Sequence, residues 1–168
     1  MQFETLFRPA RENPVSIALI GAGEFGMSLI AQSRRMQGLV VMAVADKDLD
    51  RVASTLAGMG IAARRCDSAA AAQSAVAAGE MALCESVSDL LTLPIDMIVE
   101  ATGDAEAGAR FALAAIEAGR GVTMVTKEAE CVVGPVLAAK ARAAGVPHTL
   151  VEGDQPALLI GLISWART

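Results

Sequence analysis

The chain has 168 residues, of which 54% are hydrophobic and 3% aromatic, and its formal net charge is −5 at neutral pH. This length is enough for one domain with a sizeable core, and the shortage of aromatic side chains favours helix-on-sheet packing over a β-sandwich. The negative charge argues against a nucleic-acid partner. The three cysteines lack metal-binding spacing, and no apolar stretch is typical of a membrane span or a signal peptide, so we predict a cytoplasmic protein.

Continuous apolar runs alternate with helical patterns along the chain. Residues 1–14 are predicted as an extended lead-in that ends at a proline, and residues 15–168 as one domain. The predicted strands are residues 15–20, 39–45, 61–65, 95–101, 122–126 and 148–151. The predicted helices are residues 24–37, 48–59, 68–78, 105–118 and 134–144, followed by a last apolar helix that ends near residue 165.

Two segments are less regular. Residues 80–93 are interpreted as a short edge strand at 81–84 with one helical turn near 88–91, and residues 127–131 as a loop. Strands that alternate with helices require parallel pairing and right-handed crossovers. The sequence therefore predicts an α/β fold of the Rossmann type: a doubly wound, mostly parallel sheet with helices on both faces.

Three spaced glycines follow the first predicted strand and fit the G-x-G-x-x-G pattern of dinucleotide-binding proteins. Gly21 permits a tight turn out of the strand, and Gly23 lets the backbone approach a pyrophosphate. Gly26 allows the next helix to lie close to the sheet. The phosphates would meet unpaired N–H groups at the positive end of that helix. The alternative is that the glycines only turn a strand into a helix.

An acidic residue ends the second predicted strand, as the same pattern requires. Asp46 stands 20 residues beyond Gly26 and is placed to accept hydrogen bonds from the adenosine ribose. Its charge favours NAD, whereas Lys47 and Arg51 offer positive charge for the 2′-phosphate of NADP. The alternative is that Asp46 caps the second helix and that the two basic residues are ordinary solvated charges.

Three polar loops are predicted at the carboxyl ends of later strands, where open α/β sheets bind ligands. They are residues 101–104, 126–130 and 152–156. Lys127 is positioned to bind a carboxylate or phosphate, or to polarise a carbonyl during hydride transfer. A set of four acids in these loops offers oxygen ligands to a divalent cation, although solvated acids are the plainer interpretation: Glu128, Glu130, Glu152 and Asp154.

The remaining reactive side chains suggest no other chemistry. Cys84 and Cys131 are predicted as buried, small apolar groups. His148 is the only histidine and starts a predicted strand with no evident partner. No serine has the strand–turn–helix setting of a nucleophile elbow, so the sequence gives no support to a hydrolase.

The glycine-rich turn and the later loops together resemble a known group. The four motifs are Gly21–Gly26, Val99-Glu-Ala-Thr-Gly103, Val125-Thr-Lys-Glu128 and Gly153-Asp-Gln-Pro156. They resemble the NAD(P)-binding half of homoserine-dehydrogenase-like oxidoreductases, and are most similar to the 1-deoxy-D-xylulose 5-phosphate reductoisomerase-like branch. The departures from homoserine dehydrogenases lie in the last motif, at Glu152, Asp154 and Gln155.

This resemblance implies an NADPH-dependent enzyme that isomerises and reduces 1-deoxy-D-xylulose 5-phosphate with Mg²⁺ or Mn²⁺, in isoprenoid biosynthesis. Homoserine oxidation with NAD(P) is the alternative. The implied catalytic residues are Lys127, Glu152 and Asp154. The predicted cofactor-binding residues are Gly21, Ala22, Gly23, Glu24, Phe25, Gly26, Asp46, Lys47, Arg51, Ala101, Thr102, Gly103, Lys127 and Glu128.

The last predicted helix is apolar on nearly every side and calls for a partner surface. Nothing in the sequence corresponds to the substrate region of such dehydrogenases. We therefore expect a fragment of a longer oxidoreductase that is inactive alone, or a homo-oligomer formed through that region or through the last helix. A third alternative is a module that binds a dinucleotide without catalysing a reaction.

Overall fold

The structure is a computed structural model that describes residues 13–151 and 155–167, without the side chains of residues 155–157. Most of the predicted lead-in, together with Glu152 and Asp154, lies outside the described residues. In chain order the elements are β1 (Val15–Ile20), α1 (Glu24–Ser33), β2 (Leu39–Ala45), α2 (Leu49–Gly58), β3 (Ala63–Cys66), α3 (Ala69–Ala77), β4 (Met81–Cys84), α4 (Val87–Leu91), β5 (Met97–Glu100), α5 (Ala105–Glu117), β6 (Gly121–Met124), α6 (Lys127–Ala144), β7 (His148–Leu150) and α7 (Gln155–Ala166).

The seven strands form one sheet with the order β3-β4-β2-β1-β5-β6-β7, and every pairing is parallel. From β1 the chain first builds the half of the sheet that contains β2, β3 and β4, and then crosses to β5 on the other side of β1. The predicted doubly wound α/β fold is confirmed. No helix in the described ranges is long and apolar enough to cross a membrane.

Alternation along the strands divides the core into two layers. Ile17, Leu19 and Val99 point towards the face that α1 and α2 cover. Ala18 and Ile98 point towards the opposite face, where α3, α4, α5 and α6 supply mostly alanine and leucine. Small side chains let these helices approach the sheet closely, as the alanine-rich composition predicts.

β4 is an inner strand, so the prediction of an edge strand at residues 81–84 is wrong. It pairs with β2 on one side and β3 on the other, and its four residues are all buried. The uninterrupted apolar run from Met81 to Cys84 fits a strand covered on both faces. β3, with exposed Arg65, is the edge strand instead.

The prediction of a loop at residues 127–131 is also wrong, because α6 begins at Lys127 and runs through Pro135. A proline removes one N–H from the helix ladder, here the partner of the Cys131 carbonyl. Both residues are exposed, so water can replace the missing hydrogen bond at that carbonyl. Cys131 is correspondingly exposed, and the prediction that it is buried is wrong.

Candidate functional site

The turns after β1, β2, β4 and β5 surround a cavity of about 330 Å³ at the carboxyl edge of the sheet, which we call the edge cavity. It opens between β1 and β5, where the chain reverses its direction of winding, and this is the position at which open α/β sheets bind ligands. The residues that line it are Ile20, Gly21, Ala45, Asp46, Lys47, Glu85, Val87, Thr102, Asp104, Ala107 and Phe111.

Two of the three glycines are required by close contacts. Gly21 has a φ of +92°, and a Cβ there would stand 2.5 Å from the carbonyl oxygen of Ala101. A Cβ at Gly26 would stand 2.5 Å from the carbonyl oxygen of Gly21 and 2.8 Å from Leu19 Cδ2. A side chain at either position would therefore push the β1–α1 turn away from β5 or lift α1 from the sheet.

Gly23 differs, because no heavy atom outside its chain neighbours lies within 4 Å of the position that a Cβ would occupy. It is the N-cap of α1 and supplies no side chain to cap the first turn. The first N–H groups of a helix have no partner within the helix, and the macrodipole adds positive potential there. Gly23, Glu24 and Phe25 are exposed at this terminus, which leaves their backbone N–H groups open to an anion.

Asp46 fastens the turns after β1 and β2 to each other. Its Oδ2 accepts a hydrogen bond of 2.7 Å from the Ala22 N–H, and its Oδ1 accepts one of 2.8 Å from the Asp48 N–H. Asp48, and not Asp46, caps α2 by accepting from the Arg51 N–H at 3.1 Å. A carboxylate has about four lone-pair sites, so Asp46 retains capacity to accept from a ligand hydroxyl.

Arg51 is held in the same cluster. Its Nη2 donates to the Ala22 carbonyl at 3.0 Å and lies 3.5 Å from Asp46 Oδ2. The N–H and the carbonyl of Ala22 therefore both form hydrogen bonds within the protein, and Ala22 itself is buried. Lys47 lines the edge cavity beside Asp46.

A buried carboxylate supports the opposite wall of the edge cavity. Glu100 ends β5 and is fully buried, and its Oε1 accepts from the Thr102 N–H at 2.8 Å and the Thr102 hydroxyl at 2.6 Å. The Gly103 N–H donates to the Thr126 hydroxyl at 3.0 Å, and Asp104 caps α5 through the Ala107 N–H. The polar loop predicted at residues 101–104 is thus fixed by hydrogen bonds to Glu100, to Thr126 and to the first turn of α5.

Several predicted site residues lie outside the described lining of the edge cavity. Phe25 turns its ring towards a different, apolar groove beside α1. Lys127 and Glu128 are exposed in the first turn of α6, at the carboxyl edge of the same sheet. The positions of Glu152 and Asp154 relative to these side chains lie outside the described part of the chain.

Of the four acids predicted as possible metal ligands, the structure describes Glu128 and Glu130, and these two side chains differ in burial. Glu130 turns inward and its Oε2 lies 3.3 Å from His148 Nε2, with both side chains buried, whereas Glu128 faces solvent. His148 therefore lies beside an acidic side chain that the sequence did not reveal, although no hydrogen bond joins Oε2 to Nε2. Within residues 13–151 and 155–167 there is no group of three metal-ligating side chains.

Sequence reasoning missed two residues of the site. Glu85 lines the edge cavity from the end of β4, and Glu100 supports Thr102 from the end of β5. The apolar run of β4, interpreted as an inner strand, would have placed Glu85 at the carboxyl edge. Glu100 lies within the apolar run predicted as a strand at residues 95–101, and an acid in such a run indicates a buried polar network nearby.

The thiols show no sign of catalytic activation. Burial raises the pKa of the Cys84 thiol to about 11, and the neighbouring Cys66 adds to the effect. Burial likewise raises the pKa of Cys66 above its ordinary value. Thiol nucleophiles require a lowered pKa, so these two cysteines serve as apolar core groups.

No protein-family model and no curated protein sequence matches the chain. Several solved structures are similar to it. An oxidoreductase from Agrobacterium radiobacter, in complex with NAD⁺, L-tartaric acid and magnesium, has a TM-score of 0.65 at 15% identity over 83% of this chain and 36% of that one. Biliverdin reductase from Synechocystis, with biliverdin and NADP⁺, has a TM-score of 0.62 at 18% identity, over 82% and 38%. A homoserine dehydrogenase from Thiobacillus denitrificans has a TM-score of 0.60 at 22% identity, over 82% and 29%.

These similarities establish a Rossmann-type fold shared with dinucleotide-binding oxidoreductases. The chain spans about a third of the length of the solved structures that it resembles. At this level of sequence identity the likeness concerns the fold, and function has to be argued from the site itself.

Proposed function

We propose that this chain is the cofactor-binding domain of an NAD(P)-dependent oxidoreductase. The observation that carries the proposal is the arrangement at the switch point of the sheet. There, Gly23 leaves open space before the N-terminus of α1, and Asp46, which is hydrogen-bonded to the adjoining Ala22, lines the edge cavity with spare acceptor capacity. An open helix N-terminus suits a pyrophosphate, and a carboxylate at the end of β2 suits ribose hydroxyls. Bound in this way, the cofactor would supply hydride chemistry.

Between the two cofactors, the geometry favours NADH over the NADPH that the sequence resemblance implies. Asp46 presents negative charge where a 2′-phosphate would lie. Arg51, the side chain best suited to neutralise that phosphate, already donates to the Ala22 carbonyl and lies beside Asp46. Glu85 and Asp104 add two further acids to the described lining of the cavity, which contains one basic side chain, Lys47.

Titration of the 168-residue chain with NADH and with NADPH, followed by protein fluorescence or calorimetry, tests the proposal. We expect saturable binding of NADH at one site and weaker binding of NADPH. Binding of neither cofactor would refute a dinucleotide site. Tighter binding of NADPH would refute the preference for NADH and would support the cofactor implied by the resemblance.

For the substrate, the sequence motifs favour reduction and isomerisation of 1-deoxy-D-xylulose 5-phosphate in a cytoplasmic isoprenoid pathway, with homoserine oxidation as the alternative. Lys127 is proposed to bind the substrate phosphate or carboxylate, because it is exposed at the carboxyl edge of the sheet. Glu152 and Asp154 are proposed to act beside it, with Mg²⁺ or Mn²⁺ if the reductoisomerase reaction applies. Assays of the longest native form with each substrate distinguish the two reactions.

A binding module without catalysis is the second candidate, because the edge cavity is lined by residues suited to holding a cofactor, whereas Lys127, the residue proposed to act on the substrate, lies outside its lining. Turnover by the longest native form would exclude this candidate, and Lys127→Ala in that form would then test the role of Lys127. If Lys127 acts on the substrate, kcat falls more than the affinity for the cofactor. Absence of turnover with both substrates in the longest native form would favour the binding module.

A further inference from the structure

An apolar groove crosses the sheet on the side of α1, away from the edge cavity. Its volume is about 940 Å³, and its floor is formed by side chains of β1 and β5 that include Ile17, Met97 and Val99. Phe25 and Leu29 of α1 form one wall. α1 and α2 cover the other half of this face, and no described helix packs extensively over β5, β6 and β7 on this side.

The groove runs the length of the strands. Val151, just beyond β7, lines it at the carboxyl edge of the sheet, and residues 35–38 line it at the amino edge. β1 has six residues and is therefore about 20 Å long. The groove is thus long enough for a helix of three turns to lie along it.

α7 is a helix of this kind, and it lies outside the groove in the structure. It has twelve residues, so it is about 18 Å long. Five large aliphatic side chains are 49–60% exposed: Leu158, Leu159, Ile160, Leu162 and Ile163. Since they include neighbours in sequence, they point to several sides of the helix, and none of them belongs to the lining of the groove.

We propose that α7 docks in this groove of its own chain, where it covers the bare half of the sheet. Val151 lines the groove and α7 begins four residues later, so the connection can reach at most about 14 Å, which keeps the start of α7 at the mouth of the groove. Lying antiparallel to the strands, α7 brings its last carbonyls towards Arg35 at the far end. A guanidinium is favourable beside the negative end of a helix.

In a solution of the 168-residue chain, the rival occupant is α7 of a second copy, which would give an exchanged dimer. A short connection holds the helix of the same chain at an effective concentration on the order of millimolar. A second copy at micromolar concentration competes poorly with it. Docking within one chain is therefore favoured, and it turns two exposed apolar surfaces into one buried core layer.

Disulfide cross-linking in the 168-residue chain tests this arrangement. Cys131→Ser removes the exposed native thiol, and the remaining Cys66 and Cys84 are buried. Met97→Cys on the floor of the groove is then combined with single cysteines at successive positions from 158 to 163 on α7. We expect cross-links within monomers, restricted to α7 positions three or four residues apart, because a disulfide needs Cα atoms closer than about 7 Å.

Val132→Cys replaces Met97→Cys as the matched control, since Val132 is exposed on α6 and lines no part of the groove. We expect no intramolecular cross-link to α7 in this series. Disulfide-linked dimers from Met97→Cys would overturn docking within one chain in favour of a second copy. Failure to cross-link, or cross-linking at all α7 positions equally, would overturn docking in the groove.

Trp165 provides an independent readout, because it is the only tryptophan and lies on α7. Leu29→Glu places a charge in the wall of the groove and is expected to shift the emission of Trp165 to the red and to increase its quenching by acrylamide. Val132→Glu is the matched control and is expected to leave both unchanged. Identical emission and quenching in all three proteins, with unchanged circular dichroism, would contradict the proposal.

Discussion

Among the turns that surround the edge cavity, the turns after β1 and β2, which we call the first wall, differ in construction from the turn after β5, which we call the second wall. In the first wall, exposed Gly23 leads into α1 and Asp46 ties the Ala22 N–H to the turn after β2. In the second wall, Glu100 is fully buried and fixes Thr102 by accepting a hydrogen bond from its N–H. One wall therefore presents groups for a ligand, whereas the other is held in shape by a carboxylate that no ligand can reach.

Two kinds of residue therefore shape this edge of the sheet: those placed to contact a ligand and those that fix a loop from inside the protein. Substitutions in the first wall should alter the affinity for NADH more than the free energy of unfolding, except at glycines whose backbone conformation or close contacts exclude a side chain. In the second wall, stability and affinity should change together, because the carboxylate acts only by fixing the loop.

The largest effect is expected at Gly21. Gly21→Ala places a Cβ 2.5 Å from the Ala101 carbonyl oxygen at a φ of +92°, so the two walls can no longer approach each other. We expect a loss of at least about 3 kcal/mol in the free energy of unfolding, measured by urea denaturation. Gly23→Ala is the control, with a change in the free energy of unfolding within about 1 kcal/mol but weaker NADH binding. Equal stability of the two variants would contradict the assignment of the glycines.

Asp46→Ala is expected to have the next largest effect, on affinity. It removes the acceptor proposed for the ribose and frees the Ala22 N–H. We expect NADH to bind about 10- to 100-fold more weakly by calorimetry, with a smaller change for NADPH, since a charged hydrogen-bond partner is lost. Asp46→Asn keeps one acceptor oxygen and serves as the milder control. Unchanged affinity for both cofactors would mean that Asp46 only joins two turns.

Glu100→Ala breaks the second wall. Thr102 loses both hydrogen bonds to Oε1, and we expect the free energy of unfolding to fall by about 2 kcal/mol together with weaker NADH binding. Glu100→Gln preserves an oxygen for Thr102 and is expected to change stability by less than about 1 kcal/mol. If Glu100→Ala loses stability but binds NADH as before, the loop after β5 is not part of the site.

Much of the fold follows from the sequence because strands buried on both faces are continuous apolar runs. The first wall was also predictable, since its glycines and Asp46 have fixed spacing along the chain. The partnership of Glu130 with His148 was not, because it joins α6 to β7 across the fold. The helix predicted at residues 134–144 begins earlier than expected, because α6 starts at Lys127 and remains helical through the exposed Pro135.

The smallest effect is expected at Asp96, at the amino ends of the strands and far from the edge cavity. Its Oδ2 accepts from the N–H and the hydroxyl of Ser16, both at 2.7 Å, and these bonds lower the pKa of Asp96 below its usual value of 3.8. A lowered pKa stabilises the fold above the unfolded value, and this contribution is lost as pH falls through and below it.

We therefore expect Asp96→Asn to cost less than about 1 kcal/mol at neutral pH, because the side chain is exposed. The variant should lose less stability than the parent between about pH 5 and pH 2. NADH binding should be unchanged at pH 7. An altered affinity would show that the two ends of the strands are coupled, contrary to the local role assigned to the edge cavity.

The most direct test of the account is a calorimetric titration of NADH into the 168-residue chain beside Gly23→Ala. Gly23 has open space around it and no structural contact that requires glycine, so its replacement should affect only a bound ligand. We predict saturable one-site binding to the parent chain and at least about 10-fold weaker binding to a folded Gly23→Ala variant. Equal affinity in the two proteins, or no binding to the parent chain, would contradict a dinucleotide site at the N-terminus of α1.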